Sequence, residues 1–205
     1  MIPAESLVFN EDCMAVMARY PDKYFDLAVV DPPYGGNVER TGNGWAAQYG
    51  KKIRSWDIAP GDEYFSELFR VSKSQIIWGG NYFSLPPTRS FIVWVKPQIP
   101  ETFTMAMAEY AWTSFDDNAK VFSHFSHLEK GRFHPTQKPV PLYDWIFAKY
   151  AKPGFKILDT HLGSGSSRIA AHNAGLDFVG AEIDPEYFRK GVERFDRETA
   201  QFRLF

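Results

Sequence analysis

The sequence predicts a single α/β domain on a mostly parallel β-sheet with helices on both faces. Three observations carry that expectation. Strand-like and helix-like apolar patterns alternate from one end of the chain to the other. One strand runs through a glycine turn into a helix and on to a second strand that ends in acid. And 205 residues with 44% hydrophobic content suffice for one core, with no shift in composition to mark a second domain.

Taken in order, Ser6 to Asn10 has strand character and Cys13 to Arg19 helical character. Phe25-Asp26-Leu27-Ala28-Val29-Val30 is a near-continuous apolar run, as expected of a strand covered on both faces. Asp62 to Val71 has apolar residues at helical spacing, and Gln75 to Trp78 and Phe91 to Val95 are strands. Glu109 to Phe115 and Lys120 to Phe125 predict a terminal hairpin around Asp116-Asp117-Asn118. Leu142 to Tyr150 is a helix, Phe155 to Asp159 a strand, Ser166 to Asn173 a helix, the stretch from Phe178 a strand and Glu186 to Phe195 a charged helix. In such sheets ligands gather at the carboxyl ends of the strands, and those ends carry Asp31 and Gly163.

Composition narrows the function classes. One cysteine, Cys13, rules out an internal disulfide, fits a reducing compartment and reads as a small buried hydrophobe. No apolar run approaches the roughly twenty residues of a membrane span, and the amino terminus lacks a basic stretch followed by an apolar one, so a soluble, cytoplasmic protein is expected. The net charge of −2 is no broad footprint for nucleic acid; local clusters must supply it. The spacings of His124, His127, His134, His161 and His172 do not match a helical metal-ligand pair, and no metal is expected.

Asp31-Pro32-Pro33-Tyr34 follows the apolar strand directly. A carboxylate, two missing N–H donors and a ring are poor material for a core and well suited to holding a flat, amino-bearing ring: the prolines leave carbonyls without competing amides, the tyrosine offers a face, and the aspartate accepts from an exocyclic NH2. The bland alternative is a strand followed by a proline turn. The tetrapeptide resembles the Asp-Pro-Pro-Tyr catalytic motif of the amino-methyltransferases of DNA.

Further along, Asp159-Thr-His-Leu-Gly-Ser-Gly-Ser166 joins a strand to a helix, and Glu182 lies about twenty residues past the turn, where an acid can accept both ribose hydroxyls. Asp184-Pro185-Glu186 is a helix start, with Asp184 as its cap. Arg168 stands where a dinucleotide fold would carry its third glycine, which disfavours NAD. The loop is similar to the S-adenosylmethionine loop of DNA methyltransferases, usually Asp-Pro-Phe-x-Gly-Ser-Gly-Thr, and departs from it at Thr160, His161 and Ser166. That resemblance implies contacts with S-adenosylmethionine from Asp159, His161, Gly163, Ser164, Gly165, Ser166 and Glu182. His134-Pro-Thr-Gln-Lys-Pro139, by itself a proline-bounded helix entry, resembles the hexapeptide beside the cofactor's methionine part; by resemblance His134, Thr136 and Lys138 join the cofactor site.

The catalytic tetrapeptide precedes the cofactor loop, an order that resembles the circularly permuted beta class of DNA amino-methyltransferases. Gln75 to Phe83 and Phe91 to Lys96 add a likeness to small phage- or prophage-type DNA methylases, often partners in restriction-modification. The resemblance implies one Rossmann-like class I methyltransferase domain over residues 1–205, a catalytic half (1–133) and a cofactor-binding half (134–205), and transfer of a methyl group to the N6 amine of a flipped adenine. Aspartate as first residue of the tetrapeptide favours adenine; cytosine-N4, an RNA adenine and an inactive binding relic are the alternatives. DNA contacts are expected from the loop 37–56, where Arg40, Lys51, Lys52 and Arg54 interleave with Trp45 and Tyr49, and from a second subunit of a homodimer. The competing reading of that loop is a disordered surface segment.

Overall fold

A computed structural model describes residues 4–35, 58–103, 105–125 and 131–200. The loop 37–56, with every DNA-facing residue expected above, lies outside the described residues. Eight strands form one sheet: β1 (Ser6–Phe9), β2 (Phe25–Val30), β3 (Ser72–Trp78), β4 (Phe91–Val95), β5 (Ala108–Thr113), β6 (Lys120–Ser123), β7 (Lys156–Asp159) and β8 (Asp177–Ala181). Their order across the sheet is β1-β8-β7-β2-β3-β5-β4-β6. Among the described residues five α-helices accompany them: α1 (Cys13–Met17), α2 (Asp62–Val71), α3 (Val140–Tyr150), α4 (Ser166–Asn173) and α5 (Pro185–Ala200). No described helix is long and apolar enough to cross a membrane.

The period-2 geometry of β2 explains why its sequence is apolar throughout. Leu27 and Val29 join Leu142, Ile146 and Ala170 of α3 and α4 in one core; Ala28 and Val30 join Val16, Leu68 and Val71 of α1 and α2 in the other. Parallel neighbours β3 and β7 flank the strand, so its carboxyl end is held in the middle of the sheet. Helix α2 buries Tyr64, Phe65, Leu68 and Val71 on one stripe, starts with Asp62 and Glu63 where the helix dipole favours acid, and passes directly into β3.

The hairpin expected between Glu109–Phe115 and Lys120–Phe125 is not how these strands pair. β5 is antiparallel to β3 on one edge and to β4 on the other, the latter over five residue pairs from Phe91↔Trp112 to Val95↔Ala108. With both edges taken, β5 has none left for β6, which lies parallel to β4 instead. The longer ladder also buries Ala111 and Trp112. All the other pairings are parallel, so the α/β class stands.

Candidate active site

Asp31 is the first residue beyond β2. Its Oδ1 accepts the Tyr34 hydroxyl at 2.6 Å, and its Oδ2 accepts the Lys138 ammonium. Pro32 is buried behind it. The Tyr34 ring stacks on Tyr82 (4.8 Å between centroids, 16° between planes) and meets Phe83 at an angle. It lies against Gly79, which has φ +67° and ends β3 in a left-handed turn. A Cβ on Gly79 would fall 2.1, 2.5 and 2.6 Å from three consecutive carbons of the Tyr34 ring, so only glycine lets the ring lie there. Burial, reinforced by the Asp31 and Glu109 charges, pushes the Tyr34 phenol far above its ordinary range and keeps it a donor.

Lys138, which the resemblance assigns to the cofactor site, has an ammonium that bridges two carboxylates, Asp31 and Glu109 (3.0 Å), and sits 5.2 Å from the centre of the Trp78 ring. Burial lowers its proton affinity, but the two carboxylates more than offset this and hold it above the usual lysine range. The main chain of the same residue ties the two halves of the site together, since its carbonyl accepts the Ser166 hydroxyl at 2.7 Å. Nearby, His134 Nδ1 and the Thr136 hydroxyl are 3.2 Å apart, and the His134 ring packs edge-on against Tyr187 at 4.2 Å.

The glycine turn is left-handed at Gly163 (φ +52°) and Gly165 (φ +75°), and Gly165 caps α4. The Gly163 N–H donates to Glu182 Oε2 (2.8 Å) and the Asp184 N–H to Oε1 (2.9 Å), fixing the carboxylate at the end of β8. Burial raises its proton affinity, which those two amides partly counter. Asp184 Oδ1 accepts the Glu186 and Tyr187 amides, so Asp184 caps α5 as its sequence pattern predicts. Asp159 faces inward: Ser167 donates to Oδ2 and the His161 amide to Oδ1 (3.0 Å), and burial pushes the carboxyl up to about 7. Ser164 and Ser166 are bound from behind by Arg194, through the Ser164 carbonyl (3.2 Å) and the Ser166 hydroxyl (2.8 Å).

Two of the three departures from the usual cofactor loop, Thr160 and His161, are accommodated by α2. The hydroxyls of Tyr64 and Thr160 lie 2.6 Å apart, the Thr160 hydroxyl is 2.9 Å from His161 Nδ1, and the His161 ring packs edge-on to Tyr64. Burial pushes His161 down to about 4, so it is a neutral ring at neutral pH. Cys13 also borders the site, with a thiol that burial pushes up to about 12 and keeps protonated.

Asp31, Tyr34, Lys138, Gly163 and Glu182 all line one open cavity of about 540 Å³, so residues more than a hundred positions apart share a single chamber. Glu109, Tyr82 and Gly79 line it too, and sequence reasoning missed them. Glu109 carried a signal: it sits in an otherwise apolar strand, opposite Trp94 and near Lys96 once β4 and β5 are paired. No group of three His, Cys, Asp or Glu side chains suited to a metal occurs among the described residues.

A family model described as DNA methylase, of the N6/N4 type, matches residues 77–193, more than half of the chain. The chain belongs to the DNA methylase family. Membership carries the activity class, S-adenosylmethionine-dependent methylation of amino groups in DNA. The chain is 26% identical to the methylase YubD of Escherichia coli (strain K12), over 89% of its own length and 87% of that protein's. It is 40% identical to the DNA adenine methyltransferase YhdJ of the same organism, over 31% of its length and 21% of the relative's. Its fold matches the M1.HpyAVI–SAM complex with a TM-score of 0.62 at 18% identity, covering 93% of this chain and 98% of that one.

Proposed function

We propose that this DNA methylase transfers the methyl group of S-adenosylmethionine to the exocyclic N6 amine of an adenine flipped out of DNA. The observation that carries the reading is the common cavity, lined by Asp31 together with the Gly163 turn and Glu182. The aspartate that opens the tetrapeptide and the likeness to an adenine methyltransferase favour adenine over cytosine. Because the family spans N6 and N4 enzymes, cytosine-N4 is the second reading.

The residues fit the cofactor. Two left-handed glycines keep the turn free of side chains, and Glu182 is held by amides on one side while lone pairs on both oxygens remain for ribose hydroxyls. When bound, S-adenosylmethionine supplies an electrophilic methyl on a sulfonium. Asp31 and the Pro32 carbonyl each accept one N–H of the target amine, draw its lone pair out of conjugation and stabilise the positive charge that develops. The methylated nitrogen then gives up one proton to the carboxylate or to water. No covalent enzyme intermediate is needed, and the protonated Cys13 thiol would not supply one. Tyr34 offers the extruded base the ring face on which Tyr82 is stacked, the base taking the place of Tyr82, which offsets part of the few kcal/mol that flipping costs. His134, Thr136 and Asp159 shape the cofactor side, Asp159 by anchoring the turn from below. Arg40, Lys51, Lys52 and Arg54, with Trp45 and Tyr49, form the DNA clamp, joined by a second subunit.

Transfer of labelled methyl from S-adenosylmethionine to unmethylated DNA, with the product nucleoside identified, tests the reading. N6-methyl-2′-deoxyadenosine made by the wild-type protein and lost in a folded Asp31→Ala variant that still binds cofactor supports it. N4-methyl-2′-deoxycytidine would establish the second reading. Label in RNA alone, or in neither polymer, would overturn both.

A further inference from the structure

Four charged side chains form an alternating row behind the catalytic tetrapeptide. Lys96 Nζ lies 2.5 Å from Glu109 Oε1, Glu109 Oε2 lies 3.0 Å from Lys138 Nζ, and Lys138 pairs with Asp31 Oδ2. Tyr34 closes the row on Asp31 Oδ1. The walls are indoles: Lys138 sits over Trp78 and Lys96 over Trp94, and the two rings meet edge to face at 6.5 Å. The Lys138 side chain is 3% exposed, so its ammonium must find its partners within the protein.

We infer that Glu109 is a positioning residue for methyl transfer: by taking a share of the Lys138 ammonium it confines that cation to one oxygen of Asp31 and leaves the other oxygen for the target amine. The inference rests on the reading of Asp31 as the amine acceptor. An ammonium offered Asp31 alone would direct its donors at both carboxylate oxygens and compete with the substrate for them. Glu109 divides those donors, and Lys96 balances its charge, so two cations and two anions leave the row neutral. The other groups facing it are Tyr143 beside Lys138 and, on the cofactor side, Asp159 near Asp31. The electrostatics agree with the geometry: burial pushes the Glu109 carboxyl up, but Lys138 and Lys96 outweigh this and bring it down to about 2. The Tyr34 hydroxyl on the remaining Asp31 oxygen is a neutral donor and exchanges for an amine N–H more readily than an ammonium would.

The test uses the full chain with isotope-labelled lysine and glutamate, in wild-type form and as Glu109→Gln and Glu109→Asp. Exchange of the Lys138 ammonium protons with water, followed by NMR, should be slow in the wild type and at least about tenfold faster in Glu109→Gln, the size expected for loss of one charge-assisted hydrogen bond. In parallel, kcat should fall about tenfold or more with little change in KM for S-adenosylmethionine, and Glu109→Asp should recover part of both effects. Unchanged Lys138 exchange, or a kcat held at the wild-type level, would overturn the inference. If Glu109→Gln does not fold, the wild-type protein still decides: a Glu109 carboxyl that titrates near its ordinary value of 4.5 is not paired as inferred. Absence of methyl transfer by the wild type, with the Lys138 signature intact, would remove the proposed function and with it the catalytic role of Glu109, while the pairing itself would stand.

Discussion

Gly79→Ala probes how the catalytic ring is seated. The new methyl group would lie 2.1 Å from a Tyr34 ring carbon, well inside contact distance, and the residue would keep a φ near +67° that side chains resist. Left-handed backbone at a residue with a Cβ costs about 1–2 kcal/mol, and forcing a methyl into a filled space about 1–3 kcal/mol, so a total near 2–5 kcal/mol is expected. Relief comes only by turning Tyr34 away, which breaks its 2.6 Å bond to Asp31 and its stack on Tyr82. A double-mutant cycle with Tyr34→Ala separates the contributions. With the ring removed, Gly79→Ala should cost only the backbone strain of about 1–2 kcal/mol, giving a coupling of roughly 1–3 kcal/mol in urea unfolding. Additivity within about 0.5 kcal/mol would show that the ring does not rest on Gly79 and would refute this account of the site.

Glu182→Ala should weaken S-adenosylhomocysteine binding by about 1–3 kcal/mol in calorimetry, the range for hydrogen bonds to a charged group; an unchanged dissociation constant would place the ribose elsewhere. Lys138→Met should destabilise the protein by about 3 kcal/mol near neutral pH, toward the low end of the range for a broken buried pair because Lys96 still serves Glu109 at 2.5 Å. The sign of its pH dependence follows from Glu109, whose folded value of about 2 lies below its ordinary 4.5. Its stabilisation is full above the unfolded value and fades as pH falls through the folded one, so the gap between wild type and variant should narrow between about pH 4.5 and 2, and a constant gap in acid unfolding curves would contradict the pairing. Replacing Lys51, Lys52 and Arg54 together by Ala should weaken binding to all DNA sequences alike and flatten its salt dependence, because phosphate contacts carry no sequence information; an unchanged slope would exclude the loop as the clamp.

Much of this protein is determined by local sequence. The apolar run of β2, the amphipathic stripe of α2 and the left-handed glycines of the cofactor turn are each read from periodicity or backbone freedom, which need no partner to be recognised. The Asp184 cap is local in the same sense, because its acceptors serve amides two and three residues away. Tertiary structure decided what depends on contacts between distant segments. The two edges of β5 were settled by competition among strands for ladder partners and burial, and sequence adjacency with β6 lost. Lys138 pairs with Asp31 across 107 residues, and Glu109 reaches it only because β5 lies between β3 and β4. A charge in a strand says only that something must neutralise it; which group does so is fixed by the sheet that brings them within 3.0 Å.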